Sequence, residues 1–545
     1  MKSWIVSAAL MLPTILLSQV EVYPGPEGIL PSDLYEVRVV QDGKTLSSFV
    51  YENVSDDPAD EHIRKEVTRG VLGNPVMKSH YLGDRKPELT NEGVLRQSVS
   101  FTNFSFSGDV SVSVKSLTGK IETAKILPTS DGVEGILDGD SLTFEISEPL
   151  KLSIILNNDY LNPLHIFANP LELLVPKAGD EGVYSIGAGK DPRANPEALR
   201  KARVIRFEPG EHDVGIAFPV EAGQTIYLAG GSVLYGTIHG YMAQNVTIRG
   251  RGIISGEKIQ RSTILELKED RRKNNWKRLK YHSINMLNEQ NKTSWNSYAR
   301  YAGKGCDYLT VEGVTLVDPG HFYLRLTGVP ITIHNVKMVG AWHHNSDGVS
   351  TIGQANTTVF DCFFHCNDDA IYVRPDDVHI ENCVFWQGSN GAVFQFSWGG
   401  DPYDQGGGFI HDIDVIQCDH VREANNRAIF GSRKSGPGDI RNIVFRDIRV
   451  EGPVWRVFRL TTWAEDEDRD PPGSIYDIVF ENISIDGPVL HSSEIFANYR
   501  APEGAGPFPG RVGDITFRNV TIGGTPITLD HFDLSQEGVD NIVIE

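Results

Sequence analysis

Hydrophobic and polar residues alternate in short runs over the first third of the chain. Between residues 20 and 180 these runs include 99–106, 110–114, 142–146 and 150–156, and Gly, Asp, Asn and Ser separate them. Alternation over four to eight residues between turn formers indicates strands with one buried face. Because helical periodicity is almost absent here, we predict a β-sandwich over residues 19–180, which ends in the turn-rich segment 177–183.

A nine-residue pattern recurs from about residue 203 onward. Apolar residues occupy alternate positions on both sides of a central Asn or Asp, in copies at 330–338, 356–364, 377–385, 442–450, 477–485 and 514–522. Two strand-sized runs hinged at one polar residue predict the coils of a parallel β-helix over residues 181–545. A β-propeller blade needs four strands in about 40–45 residues, and the 21 residues between the copies at 356 and 377 leave no room for them.

One segment, from about residue 257 to 296, interrupts the repeat. Its run 268–278 is polar and rich in Lys and Arg. We expect a solvated surface excursion. The alternative is a wall of a substrate groove, with Trp276 as a platform for a sugar ring.

The N-terminal residues have the pattern of a targeting signal. Lys2 precedes an apolar run from residue 4 to 17, and the small residue Ser18 follows it. The run is shorter than the roughly 20 apolar residues that a membrane span needs, so residues 1–18 are predicted to be a secretory signal peptide. We therefore expect a secreted or periplasmic protein without a membrane anchor.

Charge and cysteine content exclude several classes of protein. The 51 basic and 72 acidic residues give a net charge of −21, which argues against a general nucleic-acid or anionic-membrane binder. The five cysteines are odd in number and irregularly spaced, and they form no CxxC pair. Neither a disulfide framework nor a zinc site is expected, and Cys362 and Cys383 are predicted core residues. We expect no metal or organic cofactor.

Three short segments carry candidate chemistry. Residues 345–349, 367–371 and 389–393 align at a spacing of 22 residues, which predicts Asp347 and Asp369 at equivalent positions on adjacent coils, with Asp368 beside them. Crowded carboxylates raise at least one pKa, which places a protonated acid next to ionised bases. Glycoside hydrolysis uses such a pair. Two alternatives stay open, namely aspartates that cap solenoid bends and a calcium site.

The same region resembles a known family. The strings Gly340-Ala-Trp-His-His-Asn-Ser-Asp-Gly348, 363–369 and 390–398, together with 163–170 and 204–211, are similar to glycoside hydrolase family 49, the dextranase and isopullulanase type, which is distantly related to polygalacturonases. The resemblance implies an all-β fold, an N-terminal β-sandwich followed by a right-handed parallel β-helix, and inverting hydrolysis of an α-linked polysaccharide. It also implies that Asp368 is the general acid and that Asp347 and Asp369 activate water.

The nearest rival activity is that of the polygalacturonases. They share the aspartate pattern but also carry Gly-His-Gly and Arg-Ile-Lys strings, which this chain lacks. Hydrolysis of a sulfated or acidic polysaccharide and non-catalytic glycan binding remain the alternatives to a dextranase-like activity. A polysaccharide is the expected partner, and a monomer is the expected state.

Ten further residues are candidates for substrate binding. Aromatic rings can stack on pyranose faces, amides can bind sugar hydroxyls, and a basic set can bind sulfate or carboxylate groups. The alternative for each is a structural role, which we predict for Trp386. The ten candidates are Trp342, His343, His344, Tyr372, Arg374, Asn390, Gln395, Trp398, Arg427 and Arg433.

Overall fold

The computed structural model describes most of the chain. The described residues are 19–55, 61–260, 264, 266, 279–288, 305–351, 355–373, 376–398, 404–420, 427–464, 472–499 and 510–545. The predicted signal peptide, Trp276 and Arg374 lie outside them, as does the side chain of Trp398. Among the described residues, no helix combines the length and the apolar character that crossing a bilayer requires.

Two β-sheets form the N-terminal sandwich. The first contains, in spatial order, Gln19–Val22, Ser98–Ser107, Leu164–Pro170, Leu150–Leu156 and Ala124–Leu127, with Val50–Val54 also paired to Ser98–Ser107. The second contains Lys44–Ser48, Tyr35–Gln41, Val110–Ser116, Ser141–Ile146 and Gly135–Asp138. Alternate residues such as Val112, Phe144 and Ile166 fill the core between the sheets.

A helical hairpin interrupts the sandwich strands. The helices Glu61–Gly73 and Pro75–Leu82 meet at Asn74, whose side chain accepts from the backbone N–H groups of Val76 and Met77. The expectation that helical structure is almost absent from residues 20–180 is therefore wrong. The Asn-Pro pair is a helix-start signal. The apolar stripe that follows it is short, and its role is evident only from its packing against the solenoid.

The solenoid follows from Val183–Ile186 onward as a right-handed parallel β-helix with three faces. Its coils turn at Asn or Asp residues in the left-handed conformation, as in Asp447, Asn482 and Asn519 with φ of 53°, 53° and 50°. These side chains tolerate that conformation better than other non-glycine residues. They also stack, since Asn482 Nδ2 donates to Asp447 Oδ1 and Asn519 Nδ2 to Asn482 Oδ1, both at 2.9 Å. The predicted hinges are confirmed.

We call the three faces the solvent face, the covered face and the cleft face. The solvent face contains Val183–Ile186, Val204–Phe207, Thr225–Leu228, Thr247–Gly250, Leu309–Glu312, Ile331–His334, Ala355–Phe360 and Val539–Ile544. The covered face contains Ile253–Ser255, Thr315–Val317, Lys337–Val339 and Phe363–Cys366. The cleft face contains Ile284–Leu287, Leu324–Leu326, Val349–Thr351, Ile371–Tyr372, Ala392–Trp398, Ala428–Arg433, Phe458–Trp463, Ser493–Tyr499 and Phe532–Leu534.

Long strands connect the faces without a break. Asp376–Gln387, Gln405–Cys418, Ile440–Val450, Ile475–Ile485 and Val512–Ile522 run from the solvent face to the covered face, and Gly210–Val220 and Ser232–Tyr241 run from the covered face to the cleft face. The remaining elements are Thr525–Pro526, the helix Pro196–Lys201 and the 3-10 turns Thr129–Asp131, Leu279–Tyr281 and Leu529–His531. Ile284–Leu287 forms a coil strand. The expectation that the whole of 257–296 is a surface excursion is therefore wrong for these residues.

The sandwich and its hairpin pack on the covered face. Outward side chains of this face, such as Phe363, Trp386 and Ile416, join one apolar cluster with Phe101 of the sandwich and Tyr81 of the hairpin. Trp386 is 1% exposed, as predicted for a structural residue. The sandwich therefore lies beside the cleft face, whose own strands, such as Leu324–Leu326 and Phe458–Trp463, are buried.

Candidate active site

Loops that lead into the cleft face carry the aspartates. Asp347 precedes Val349–Thr351, and Asp369 precedes Ile371–Tyr372. The backbone N–H of Gly348 donates to the carbonyl oxygen of Asp369 at 3.0 Å. Asp347 and Asp369 therefore occupy equivalent positions on adjacent coils, as predicted.

The following coil departs from the predicted alignment by one residue. Ile371 pairs with Phe394 rather than with Val393. The loop before this strand contains one more residue than expected and turns through Gly391, which has φ of 71°. A Cβ on Gly391 would lie 2.3 Å from the backbone nitrogen of Asp369, so only glycine lets this loop pass over the aspartate.

The phenol of Tyr372 connects two of the carboxylates. Its hydroxyl lies 2.9 Å from Asp347 Oδ2 and 3.1 Å from Asp369 Oδ2. A phenol has one proton and can donate fully to only one of them. A proton on either carboxyl would satisfy the second contact, because the phenol oxygen also accepts. The three side chains therefore form one proton-sharing unit.

The surroundings of Asp347 disfavour its ionisation. Asp347 is 2% exposed, and burial, followed by the charges of Asp368 and Asp369, raises its pKa well above the usual value. The hydrogen bond from Tyr372 acts in the opposite direction. Asp347 Oδ1 is buried without a hydrogen-bond partner among the described residues, so it can accept from a water molecule or a sugar hydroxyl.

Asp368 is held by a different set of donors. Its Oδ2 accepts from the backbone N–H of Asn345 at 2.7 Å and from Asn390 Nδ2 at 2.8 Å. Asn390 in turn accepts from the Arg427 guanidinium at 2.9 Å. Two of the predicted binding residues, Asn390 and Arg427, thus form a hydrogen-bond chain that holds Asp368.

Asp369 is fixed from the next coil. Its Oδ1 accepts from the backbone N–H of Ala392 at 3.0 Å, and its Oδ2 from Gln395 Nε2 at 3.2 Å. Gln395 is fully buried, so the structure places this predicted binding residue against the carboxylate.

The adjacent histidines differ in their surroundings. His343 is 2% exposed, and its ring nitrogens lie 2.8 Å and 2.7 Å from the carbonyl oxygens of His344 and Pro319. Both contacts hold the backbone of the loop that carries Asp347. His344 keeps part of its surface exposed.

Trp342 lies between the solenoid and the sandwich. Its indole N–H donates to Asn53 Oδ1 at 2.5 Å, and its ring packs edge-on against His365 at 5.6 Å. The sequence provides no signal for the contact with Asn53, since the two residues are 289 positions apart. The remaining candidate, Arg433, lies over the Trp463 ring at 4.6 Å.

A small cavity lies where hairpin, sandwich and solenoid meet. Polar groups reach it from both sides, with Arg64 and Gln97 from the N-terminal part and Asn367 and Ser389 from the solenoid. Asn367 directly precedes Asp368, and its Oδ1 accepts from the backbone N–H of Ser389 at 2.7 Å. Asn367 and Ser389 belong to the motif segments 367–371 and 389–393, whereas no local motif marks Arg64 and Gln97.

The cleft aspartates do not form a metal site among the described residues. Among those residues, one group of His, Cys, Asp or Glu side chains converges closely enough to hold an ion. It lies on the solvent face and includes none of the three aspartates.

Comparison with known proteins identifies relatives of this chain, although no protein-family model matches it. It is 23% identical over 507 residues to a dextranase of Arthrobacter globiformis, across 80% of this chain and 73% of that protein. It is 22% identical over 410 residues to an isopullulanase of Aspergillus niger, across 67% and 68% of the two proteins.

A solved structure has the same fold. Dex49A from Penicillium minioluteum superposes with a TM-score of 0.64 and 17% identity over 96% of each chain. The predicted fold class and the resemblance to the dextranase and isopullulanase type are thereby confirmed. The activity class that the named relatives support is hydrolysis of glycosidic bonds.

Proposed function

We propose that this protein is a secreted, inverting glycoside hydrolase that cleaves an α-linked polysaccharide of the dextran type. The observation that carries the proposal is the cluster of Asp347, Asp368 and Asp369 on adjacent coils of the cleft face, two of them joined by the Tyr372 hydroxyl. The named dextranases and isopullulanase support the substrate class.

The mechanism divides the cluster into a proton donor and a water-activating pair. An inverting hydrolase protonates the leaving oxygen with one carboxylic acid while a carboxylate deprotonates water on the opposite side of the sugar. By resemblance, Asp368 is the donor, and Asp347 and Asp369 hold the water. The Tyr372 contacts support the pairing of Asp347 with Asp369, because both carboxyl groups lie within hydrogen-bond distance of the same hydroxyl.

The electrostatics of the unliganded protein give a competing indication. Burial and two neighbouring charges favour a proton on Asp347, whereas the resemblance assigns the donated proton to Asp368. Interacting carboxyl groups titrate as a unit, so the position of the proton in the unliganded protein does not identify the donor. Kinetics of single variants, rather than the resting protonation state, decide which residue is the donor.

The contacts of Arg427 favour a neutral polysaccharide over a sulfated or acidic one. Its guanidinium is 2% exposed and donates to Asn390 behind Asp368. A buried arginine engaged in this way is not presented to an anionic glycan. Because Trp342 packs between the solenoid and the sandwich, His344 and Arg433 are the remaining proposed contacts for the substrate.

The test is the release of reducing ends from a panel of neutral and acidic polysaccharides, including dextran, pullulan, polygalacturonate and carrageenans. Wild type is expected to cleave dextran or pullulan, and Asp368→Asn to lose at least about 10²-fold of that activity, as loss of a general acid predicts. Asp447→Asn is the matched control, because the next two coils carry Asn482 and Asn519 at the same bend.

Other outcomes of this assay reject specific parts of the proposal. Binding of a glycan without cleavage by wild type would show a glycan-binding β-helix. Cleavage of polygalacturonate or carrageenan alone would show an acidic substrate. Equal loss of activity in Asp368→Asn and Asp447→Asn would remove the special role of the cluster.

A further inference from the structure

The solvent face carries a cluster of side chains that hydrolysis does not use. His379 and Glu381 belong to Asp376–Gln387, and His411 belongs to the next coil strand, Gln405–Cys418. Glu381 and His411 are direct partners in the strand register. The register places all three side chains on the outside of the same face, which is a different face from that of the cleft aspartates.

The three side chains direct one atom each to a common point. The Nε2 atoms of His379 and His411 are 3.0 Å apart, and Glu381 Oε2 lies 3.4 Å and 3.3 Å from them. Zinc binds imidazole nitrogen and carboxylate oxygen at about 2.0–2.2 Å. An ion about 2.1 Å from all three atoms fits about 1 Å above the plane of this triangle, so the triangle has the size of one face of a coordination polyhedron.

Hydrogen bonding alone satisfies this arrangement poorly. Only one proton fits between the two Nε2 atoms at 3.0 Å, and the carboxylate lies at the long limit for a hydrogen bond from either ring. A cation at the centre would engage all three lone pairs at once.

The surroundings hold the rings in place without filling the centre. Phe409 stacks on His411 at 4.4 Å and on His379 at 5.8 Å. The nearby cation Arg446 is paired with Glu481 at 2.6 Å, which offsets its repulsion of a metal ion. The three ligand side chains are 25% to 42% exposed, so solvent can complete the coordination.

We propose that His379, Glu381 and His411 form a binding site for a late first-row divalent cation such as Zn²⁺. Two imidazoles and one carboxylate suit zinc better than calcium or magnesium, which prefer oxygen ligands. The bound ion links two consecutive coils from outside. Because the folded chain alone holds the ligands together, binding stabilises the fold.

The test is calorimetric titration of Zn²⁺ into the full-length protein, without a histidine tag and after treatment with a chelator. Wild type is expected to bind one Zn²⁺ per chain, and its thermal midpoint to rise with Zn²⁺ concentration. Outer-shell partners alone change metal affinity by about 10–100-fold, so His379→Gln and His411→Gln are each expected to weaken binding by at least about 100-fold.

His334→Gln is the matched control. His334 also lies on the solvent face, contacts Asp361 Oδ2 at 3.1 Å and is 26% exposed, but it is not part of the triangle. The His334→Gln variant should bind Zn²⁺ with the affinity of wild type. In the presence of chelator, His379→Gln and His411→Gln should have the same thermal midpoint as wild type. Absence of Zn²⁺ binding by wild type at millimolar concentration, unchanged binding in the ligand variants, or equal affinity for Ca²⁺ would each overturn the site.

Discussion

The cleft face and the covered face each carry acids whose pKa is strongly raised, for different reasons. Asp347 is raised by burial together with two neighbouring carboxylates. Asp419, at the end of the covered face, is raised well above the usual value by burial of its carboxyl group alone. Its partners are Tyr81 of the hairpin, Gln417 at 2.9 Å and Trp386 at 3.1 Å.

The difference shows that a raised carboxyl pKa marks burial and does not by itself mark function. Asp419 is a single acid whose oxygens accept from three separate donors. Asp347 shares one phenol proton with Asp369, and its Oδ1 is left for an incoming group. The candidate active site is distinguished by two acids that share one hydroxyl proton, and not by the raised pKa of a single acid.

The largest expected effect separates the roles within the cleft. Asp347→Asn and Asp369→Asn should lower kcat by about 10²-fold or more on both dextran and a glycosyl fluoride, because fluoride departure still needs an activated water. Asp368→Asn should recover activity on the fluoride, whose leaving group needs no proton donor. Recovery by Asp347→Asn instead would identify Asp347 as the donor and reverse the assignment.

The covered face should lose stability in acid. Burial lowers the pKa of His365 to about 3 from 6.5, so the folded state takes up fewer protons than the unfolded state. Stability is complete above pH 6.5 and falls as the pH decreases toward 3, by about 2 kcal/mol at pH 5. In urea unfolding, His365→Phe should lose about 2 kcal/mol less than wild type between pH 7 and 5. Identical losses would contradict the shift.

Removal of the shared proton should have a smaller effect on the cleft. Tyr372→Phe is expected to reduce kcat by about 10-fold, the low end of the range for proton-handling groups. The tyrosine hydrogen bond lowers the pKa of Asp347, so the acid limb of the pH–rate profile should move to higher pH in the variant. An unmoved acid limb would show that Tyr372 does not control ionisation of the pair.

The smallest expected effect concerns Asp419 on the covered face. Asp419→Asn places an amide N–H₂ toward one of the three donors and should cost about 1 kcal/mol of unfolding free energy. It should also remove the contribution of Asp419 to the pH dependence of stability, which is present while the acid is protonated and is lost as the pH rises above about 4, because the pKa of Asp419 is raised in the folded state. Hydrolysis should continue at the wild-type rate. A loss like that of Asp369→Asn would place Asp419 in the chemistry.

Much of the architecture could be predicted from local pattern. A repeat with apolar residues at alternate positions and an Asn or Asp at the bend stacks in only one way, so its spacing placed Asp347 and Asp369 on adjacent coils. The same reasoning failed at Ser389 to Val393, where one extra residue turns through Gly391. Spacing measures the length of a loop but not its path.

The residue pattern was enough to predict the coils, the bends and the aspartate pair, because each depends on residues within one or two repeats. The groups that surround them became known only from the folded arrangement. The contact of Trp342 with Asn53 and that of Tyr81 with Asp419 join residues 289 and 338 positions apart. Such contacts arise when the sandwich and its hairpin dock on the covered face, and the periodicity of either part contains no information about that docking.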